Sequence, residues 1–260
     1  MVIEAPAPVP AHPTSLEELR HAAAGCRACD LWERATQTVF GEGSEGAWLM
    51  LVGEQPGDHE DVTGAPFVGP AGEMLDRALE EAGIDRREAY VTNVVKHFKW
   101  EPRGKRRIHQ RPNTEEIRAC RPWFEAEVER VKPSVVLCLG ATAAQALINP
   151  TFRVTRQHGI LFASAFGPMI AATVHPASIL RAPDAKAREA AYAGFVDDLR
   201  VVSAASAQGL LEGAREPPVY SPERVDAGAV RARLDHKRAG SGVSRRSGTR
   251  NSPAEQSGKT

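Results

Sequence analysis

The 260-residue chain predicts a three-layer α/β/α fold built on a central, mostly parallel four-stranded sheet. Two observations carry this. Four short runs, Trp48–Val52, Ala89–Val95, Ser134–Leu139 and Ile170–Val174, are apolar on both faces, as parallel strands covered on both sides must be. Amphipathic stretches separate the runs, and regular alternation of strand and helix implies right-handed crossovers that place helices on both faces of the sheet.

Each helix has its own signal. Ser15 and Glu18 read as a capping box opening a first helix that runs into Gly25. Ala71–Ala82 stops at Gly83, a natural C-terminal cap. Asn113 and Glu116 open a helix to about Val131, with a kink expected at Pro122. Ala141–Ile148 and Ala185–Ala204 complete the set. Together these bound one domain over residues 14–207. Residues 1–13, rich in Pro and Ala, read as a disordered N-terminus. Residues 208–260 read as a disordered tail, basic through Lys237, Arg238, Arg245, Arg246, Arg250 and Lys259. That tail either adds sequence-independent attraction to phosphates or is a solvated terminus with no role.

Composition excludes several classes. Hydrophobic residues make up 42% and charged residues 25%, ordinary values for a globular protein. There is no run of eighteen apolar residues to span a membrane. The N-terminus, with Glu4 and several prolines, lacks the apolar centre of a secretory signal, so a cytoplasmic location is expected. The 33 basic and 33 acidic residues cancel, so any affinity for nucleic acid must come from local patches. Four cysteines, two of them as Cys26-x-x-Cys29, argue against a disulfide scaffold and for a metal or redox role.

In an open parallel sheet, ligands bind at the carboxyl ends of the strands. Those ends carry Gly53-Glu54-Gln55-Pro56-Gly57, Asn93 through His97, Leu139-Gly140-Ala141-Thr142 and His175-Pro176-Ala177-Ser178. One such segment alone marks a tight turn or a cap. Four on one edge gather Glu54, Asn93 and His175 around a single crevice.

With Pro66-Phe67-Val68-Gly69-Pro70-Ala71-Gly72, these segments resemble, in order, the motifs of family 4 uracil-DNA glycosylases over roughly residues 14–205. The resemblance implies that Phe67 stacks on a flipped uracil and Asn93 reads its Watson–Crick edge. It implies that His175 donates to the uracil oxygen that gains charge as the base leaves. The backbone of the Gly53–Gly57 turn, including Gln55 and Gly57, would cradle the base and approach the sugar. These roles suit the chemistry. A base is reached only after leaving the stack, an amide offers both donor and acceptor, and donors aimed at developing charge favour the transition state.

The family holds a [4Fe–4S] cluster on four cysteines. Here the position after Val94-Val95-Lys96 is His97, and Cys138 lies within an apolar run and reads as core. The ligand set assigned is therefore Cys26, Cys29, His97 and Cys120. Three Cys and one His also suit structural zinc, and spacing does not choose between the two; the resemblance favours the iron–sulfur cluster.

The segment Trp100–Pro112 is strongly basic, and Gly104 with two prolines argues against regular structure there. By itself it reads as a solvated loop that touches phosphate. Its Lys105-Arg106-Arg107-Ile108-His109 run also resembles an insertion in the UdgX group, relatives of family 4 that link covalently to uracil-containing DNA. That resemblance makes His109 the nucleophile that attacks the sugar carbon after uracil departs, with Glu54 orienting it or taking its proton. Arg106 and Arg107 are expected to disfavour its cationic form, and Arg107 to hold the loop against the body. The expected partner is uracil-containing DNA, single-stranded by preference, bound by a monomer. A turnover glycosylase that releases an abasic site, and a non-catalytic iron–sulfur DNA-binding module, are the competing readings.

Overall fold

A computed structural model describes residues 9–167 and 169–207; the basic tail and residues 1–8 lie outside the described residues. Residues 9–13 have no regular secondary structure, and Val9 packs against the core.

The strands are β1 (Leu49–Gly53), β2 (Ala89–Asn93), β3 (Trp100–Arg103), β4 (Arg106–His109), β5 (Val135–Leu139), β6 (Phe162–Ala163) and β7 (Met169–Thr173). The main sheet has the order β2-β1-β5-β7-β6. Its first four members are parallel, and β6 pairs antiparallel with β7. The expected four-stranded sheet is thus five-stranded, because a two-residue edge strand is too short to leave a periodic signal. The segment expected to be irregular is also a hairpin, β3–β4. Gly104, at φ +61°, supplies the left-handed turn of a two-residue loop. Pro102 is tolerated because both strands of an isolated ribbon are edges.

The helices are α1 (Leu16–Ala23), α2 (Asp58–Thr63), α3 (Pro70–Glu81), α4 (Thr114–Val131), α5 (Ala141–Leu147), α6 (Val154–Gln157), α7 (Pro176–Leu180) and α8 (Ala185–Ala207). Ser15 accepts from the Glu18 N–H at 3.1 Å, but Glu18 reaches back to Thr14 and not to Ser15, so the first box is half made. The Asn113–Glu116 box is reciprocal, and α4 continues through Pro122. Alternation along the strands divides the core. Met50, Val52, Val136 and Cys138 face α1, α4 and α5. Leu49, Leu51, Val135, Leu137 and Leu139 face α3, α7 and α8. These are the three layers.

One polar network is sealed inside the first layer. Glu127 of α4 is fully buried and pairs with Lys96 Nζ at 2.5 Å. It also accepts from Tyr90 and Thr92 of β2 and from the Gly41 N–H. Lys96 Nζ donates in turn to the Asn93 carbonyl at 2.8 Å.

Candidate active site

Parallel register sets the site: Gly53 lies beside Asn93 on the neighbouring strand, and Leu139 lies beside Thr173. The next residues therefore leave the sheet along one edge. Gly53 has to be glycine, since a Cβ there would sit 2.2 Å from Asn93 Oδ1 and 2.8 Å from Phe67 Cζ. Phe67 itself holds a left-handed backbone, φ +57°, a conformation non-glycine residues keep only where their surroundings impose it. Its ring stacks on His175 at 5.9 Å between centroids and 28° between planes.

Asn93 is 2% exposed, and its Oδ1 has no hydrogen-bond partner. An orphaned buried acceptor costs about 1–3 kcal/mol, so this pocket favours a ligand that brings an N–H donor. His175 supplies the opposite polarity. Its Nδ1 accepts from the Ala177 N–H at 3.1 Å, so the neutral ring carries its proton on Nε2 and is a donor. Burial, then the neighbouring Arg181 and His109, push its pKa down to about 4. An NMR titration of the folded protein is expected to place the His175 midpoint near 4, where an ordinary histidine titrates near ~6.5. A midpoint above about 6 would contradict the burial argument.

Glu54 accepts from the Thr142 hydroxyl on one carboxylate oxygen. Its other oxygen lies 3.5 Å from His109 Nε2. The clamp that makes this meeting possible is Gln55. Its amide donates to the carbonyls of Lys99 at 3.1 Å and Gln110 at 3.0 Å, the residues flanking the paired Trp100 and His109 at the hairpin base. Gln55 Oε1 also accepts from the Lys99 N–H at 3.3 Å. The Gln55 side chain is therefore spent on holding the hairpin, and it is the backbone of the turn, as the resemblance implies, that is left to face a ligand. Gly57 caps α2 and donates its N–H to Glu60.

Arg107 is placed likewise. Its guanidinium meets Asp61 and Asp58, each at 2.5 Å, and lies over the Phe98 and Trp100 rings. It pins the hairpin to α2 and is not turned toward the pocket. The expectation that Arg106 and Arg107 disfavour a cationic His109 is corrected accordingly. The His109 pKa is lowered chiefly by burial and next, against the opposing pull of Glu54, by Arg181. Adjacency in sequence does not translate into proximity when the side chain is paired elsewhere. Thr142, Gln55 as a clamp, Asp58, Asp61 and Arg181 were not singled out for these parts. Thr142 belongs to the strand-end motif Leu139-Gly140-Ala141-Thr142, whereas Arg181 has no local signal.

Away from this edge, under the first helical layer, Cys26, Cys29 and Cys120 are all free thiols. Trp123 Nε1 donates to Cys26 Sγ and the Lys96 N–H to Cys120 Sγ, each at 3.2 Å. Burial raises the Cys29 thiol and pushes Cys120 up to about 12, and the three thiols act electrostatically on one another. Thiolates gathered in such a site need a cationic centre to balance them, and N–H donors to sulfur are among the groups that tune iron–sulfur centres. Burial holds His97 neutral by pushing its pKa down to about 4. Its Nε2 lies 2.9 Å from the Thr38 hydroxyl, which donates its own hydrogen to the Ala23 carbonyl. Nε2 must then donate, leaving Nδ1 with the lone pair a metal takes. Among the described residues, no three His, Cys, Asp or Glu converge closely enough to hold a single ion. Three thiols, two of them with N–H donors to sulfur, and a neutral imidazole with an unshared lone pair are donors of the kind an iron–sulfur cluster takes.

No helix among the described residues is long and apolar enough to cross a membrane. The Uracil DNA glycosylase superfamily model matches residues 40–200. The type-4 uracil-DNA glycosylase of Archaeoglobus fulgidus is 35% identical over 176 residues, covering 65% of this chain and 85% of the relative. That of Thermotoga maritima is 38% identical over 157 residues, covering 60% of this chain and 78% of the relative. With the strand-edge geometry, these matches show that the chain belongs to the uracil-DNA glycosylase superfamily, in the neighbourhood of its type-4 members.

Proposed function

We propose that this protein is a DNA-repair glycosylase that excises uracil and then stays bonded, through His109, to the sugar it has exposed. The observation that carries the first half is the orphaned Asn93 Oδ1, set beside Phe67 and the bare Gly53 backbone. Uracil offers an N3–H donor between two carbonyl oxygens, which suits an unpaired acceptor close to the His175 Nε2–H. A base without a partner is flipped at less cost, which favours single-stranded substrate. One chain supplies every residue involved.

Chemistry begins as the C1′–N1 bond breaks and its electron pair leaves with uracil. The neutral His175 donates to the oxygen that gains charge, where a preorganised donor contributes most. The Glu54 carboxylate stabilises the cationic sugar. A lone pair of His109 then forms an N–C1′ bond, and the ring's remaining N–H proton passes to Glu54, 3.5 Å from Nε2. Uracil leaves as the anion and takes a proton from water. The product is an N-alkylated imidazole, a poor leaving group.

Cys26, Cys29, His97 and Cys120 would hold a [4Fe–4S] cluster, which would tie the α1 end of the chain to α4 and supply no step of this reaction. Purified protein is expected to carry iron and acid-labile sulfide in equal amounts. Stoichiometric zinc without sulfide would reverse that assignment. Excision is tested by incubating the protein with a uracil-containing oligonucleotide and measuring free uracil by chromatography, with a thymine-containing strand as control. Release from both strands, or from neither, would contradict the reading.

A further inference from the structure

A cavity of about 590 Å³ opens beside the catalytic edge, between the start of α4 and α5. Thr142, whose hydroxyl binds Glu54, forms part of its wall, as does Val94, the residue after Asn93. The groove thus leaves the pocket from between the base-reading amide and the catalytic carboxylate. Ile117, Phe124 and Leu147 contribute apolar surface, and Arg111, Arg118 and Arg121 line it as well. No Asp or Glu lines it. Arg111 is held by Gln145 at 2.6 Å and Arg121 by Glu125 at 2.7 Å. Arg118 makes no hydrogen bond or ion pair among the described residues. In a chain with formal net charge zero, three arginines around an apolar floor are a local concentration of positive charge.

We propose that this groove holds the DNA strand on one side of the flipped uridine. Its phosphates lie on Arg118 and Arg121, and a neighbouring base covers the apolar floor. Guanidinium groups match phosphate oxygens bidentately. A basic channel with apolar platforms is the general solution for gripping single strands without reading their sequence. The inference rests on uracil-DNA being the substrate and adds where the flanking strand runs. The groove lies on the α4 side of the pocket, so only one flank of the uridine can occupy it.

The test uses the full chain and fluorescent oligonucleotides whose single deoxyuridine carries a 2′-fluorine, which resists cleavage of the glycosidic bond. Affinity is read by anisotropy across a salt series, for untrimmed strands and for strands cut back to the uridine on the 5′ or the 3′ side. Arg118→Ala/Arg121→Ala is the variant; both residues are exposed, so the fold tolerates the change. On the untrimmed strand, its log–log salt slope is expected to be shallower than wild type by about 1.4, from ~0.7 for each lost phosphate contact. Trimming one flank should remove the difference between variant and wild type, and trimming the other should preserve it. An unchanged slope, or a deficit that survives both trimmings, would overturn the groove. Because this readout is binding, failure of wild-type protein to excise uracil from the unfluorinated strand would count against the function above while the groove is decided separately.

Discussion

Replacing Lys96 with Met is expected to lower the free energy of unfolding by about 3–5 kcal/mol, the usual cost of leaving one partner of a buried ion pair unpaired. Glu127 is fully buried, and its other partners, Tyr90, Thr92 and the Gly41 N–H, are neutral donors that cannot replace a charge. Urea titration followed by circular dichroism measures the loss. Adding Glu127→Gln to the variant should recover part of it, because the neutral amide keeps an acceptor for those donors without a buried charge. A single-variant loss below about 1 kcal/mol would show that the pair is better solvated than its burial implies. Lys96 also donates to the carbonyl of Asn93, so the surviving folded fraction should bind uracil-containing strands more weakly than wild type.

His109→Ala is expected to uncouple the two halves of the reaction. Alanine removes the nucleophile and its tilted contact with the Phe98 ring but leaves Phe67, Asn93 and His175 in place, since the His109 side chain is half exposed. Uracil should still be released, with water taking the vacant place at C1′, and the strand should become alkali-labile instead of protein-linked. Glu54→Gln should behave differently. It keeps a partner for the Thr142 hydroxyl but removes the charge facing both the sugar and His109, so release and capture should fall together. Loss of uracil release in His109→Ala would mean that this residue acts before the glycosidic bond breaks.

The sheet was legible because parallel strands buried on both faces leave continuous apolar runs, and the register of those runs placed Glu54, Asn93 and His175 on one edge. What escaped depends on partners distant in sequence. The β3–β4 hairpin was hidden by Pro102 and Gly104, residues that break a central strand yet suit a two-stranded ribbon and its turn. Arg107 reads as holding its loop against the body, but the sequence does not name the partners it holds to. Its meaning lies in Asp58 and Asp61 on the six-residue helix α2, an element without a periodic signature. Gln55 sits in a strand-end motif and so invited a substrate role, while its amide reaches 44 and 55 residues along the chain to close the hairpin base. Burial drives the depressed histidine pKa values, and burial follows from packing rather than from neighbouring residue types.

Covalent capture is best tested by mixing wild-type protein with a labelled single-stranded oligonucleotide bearing one uracil, boiling in detergent and separating on a denaturing gel. The account predicts a slow band that requires uracil, is absent with His109→Ala, and yields on digestion a peptide containing His109 with the sugar attached. Free uracil and an alkali-labile strand with no such band would show a turnover glycosylase, with His109 outside the chemistry.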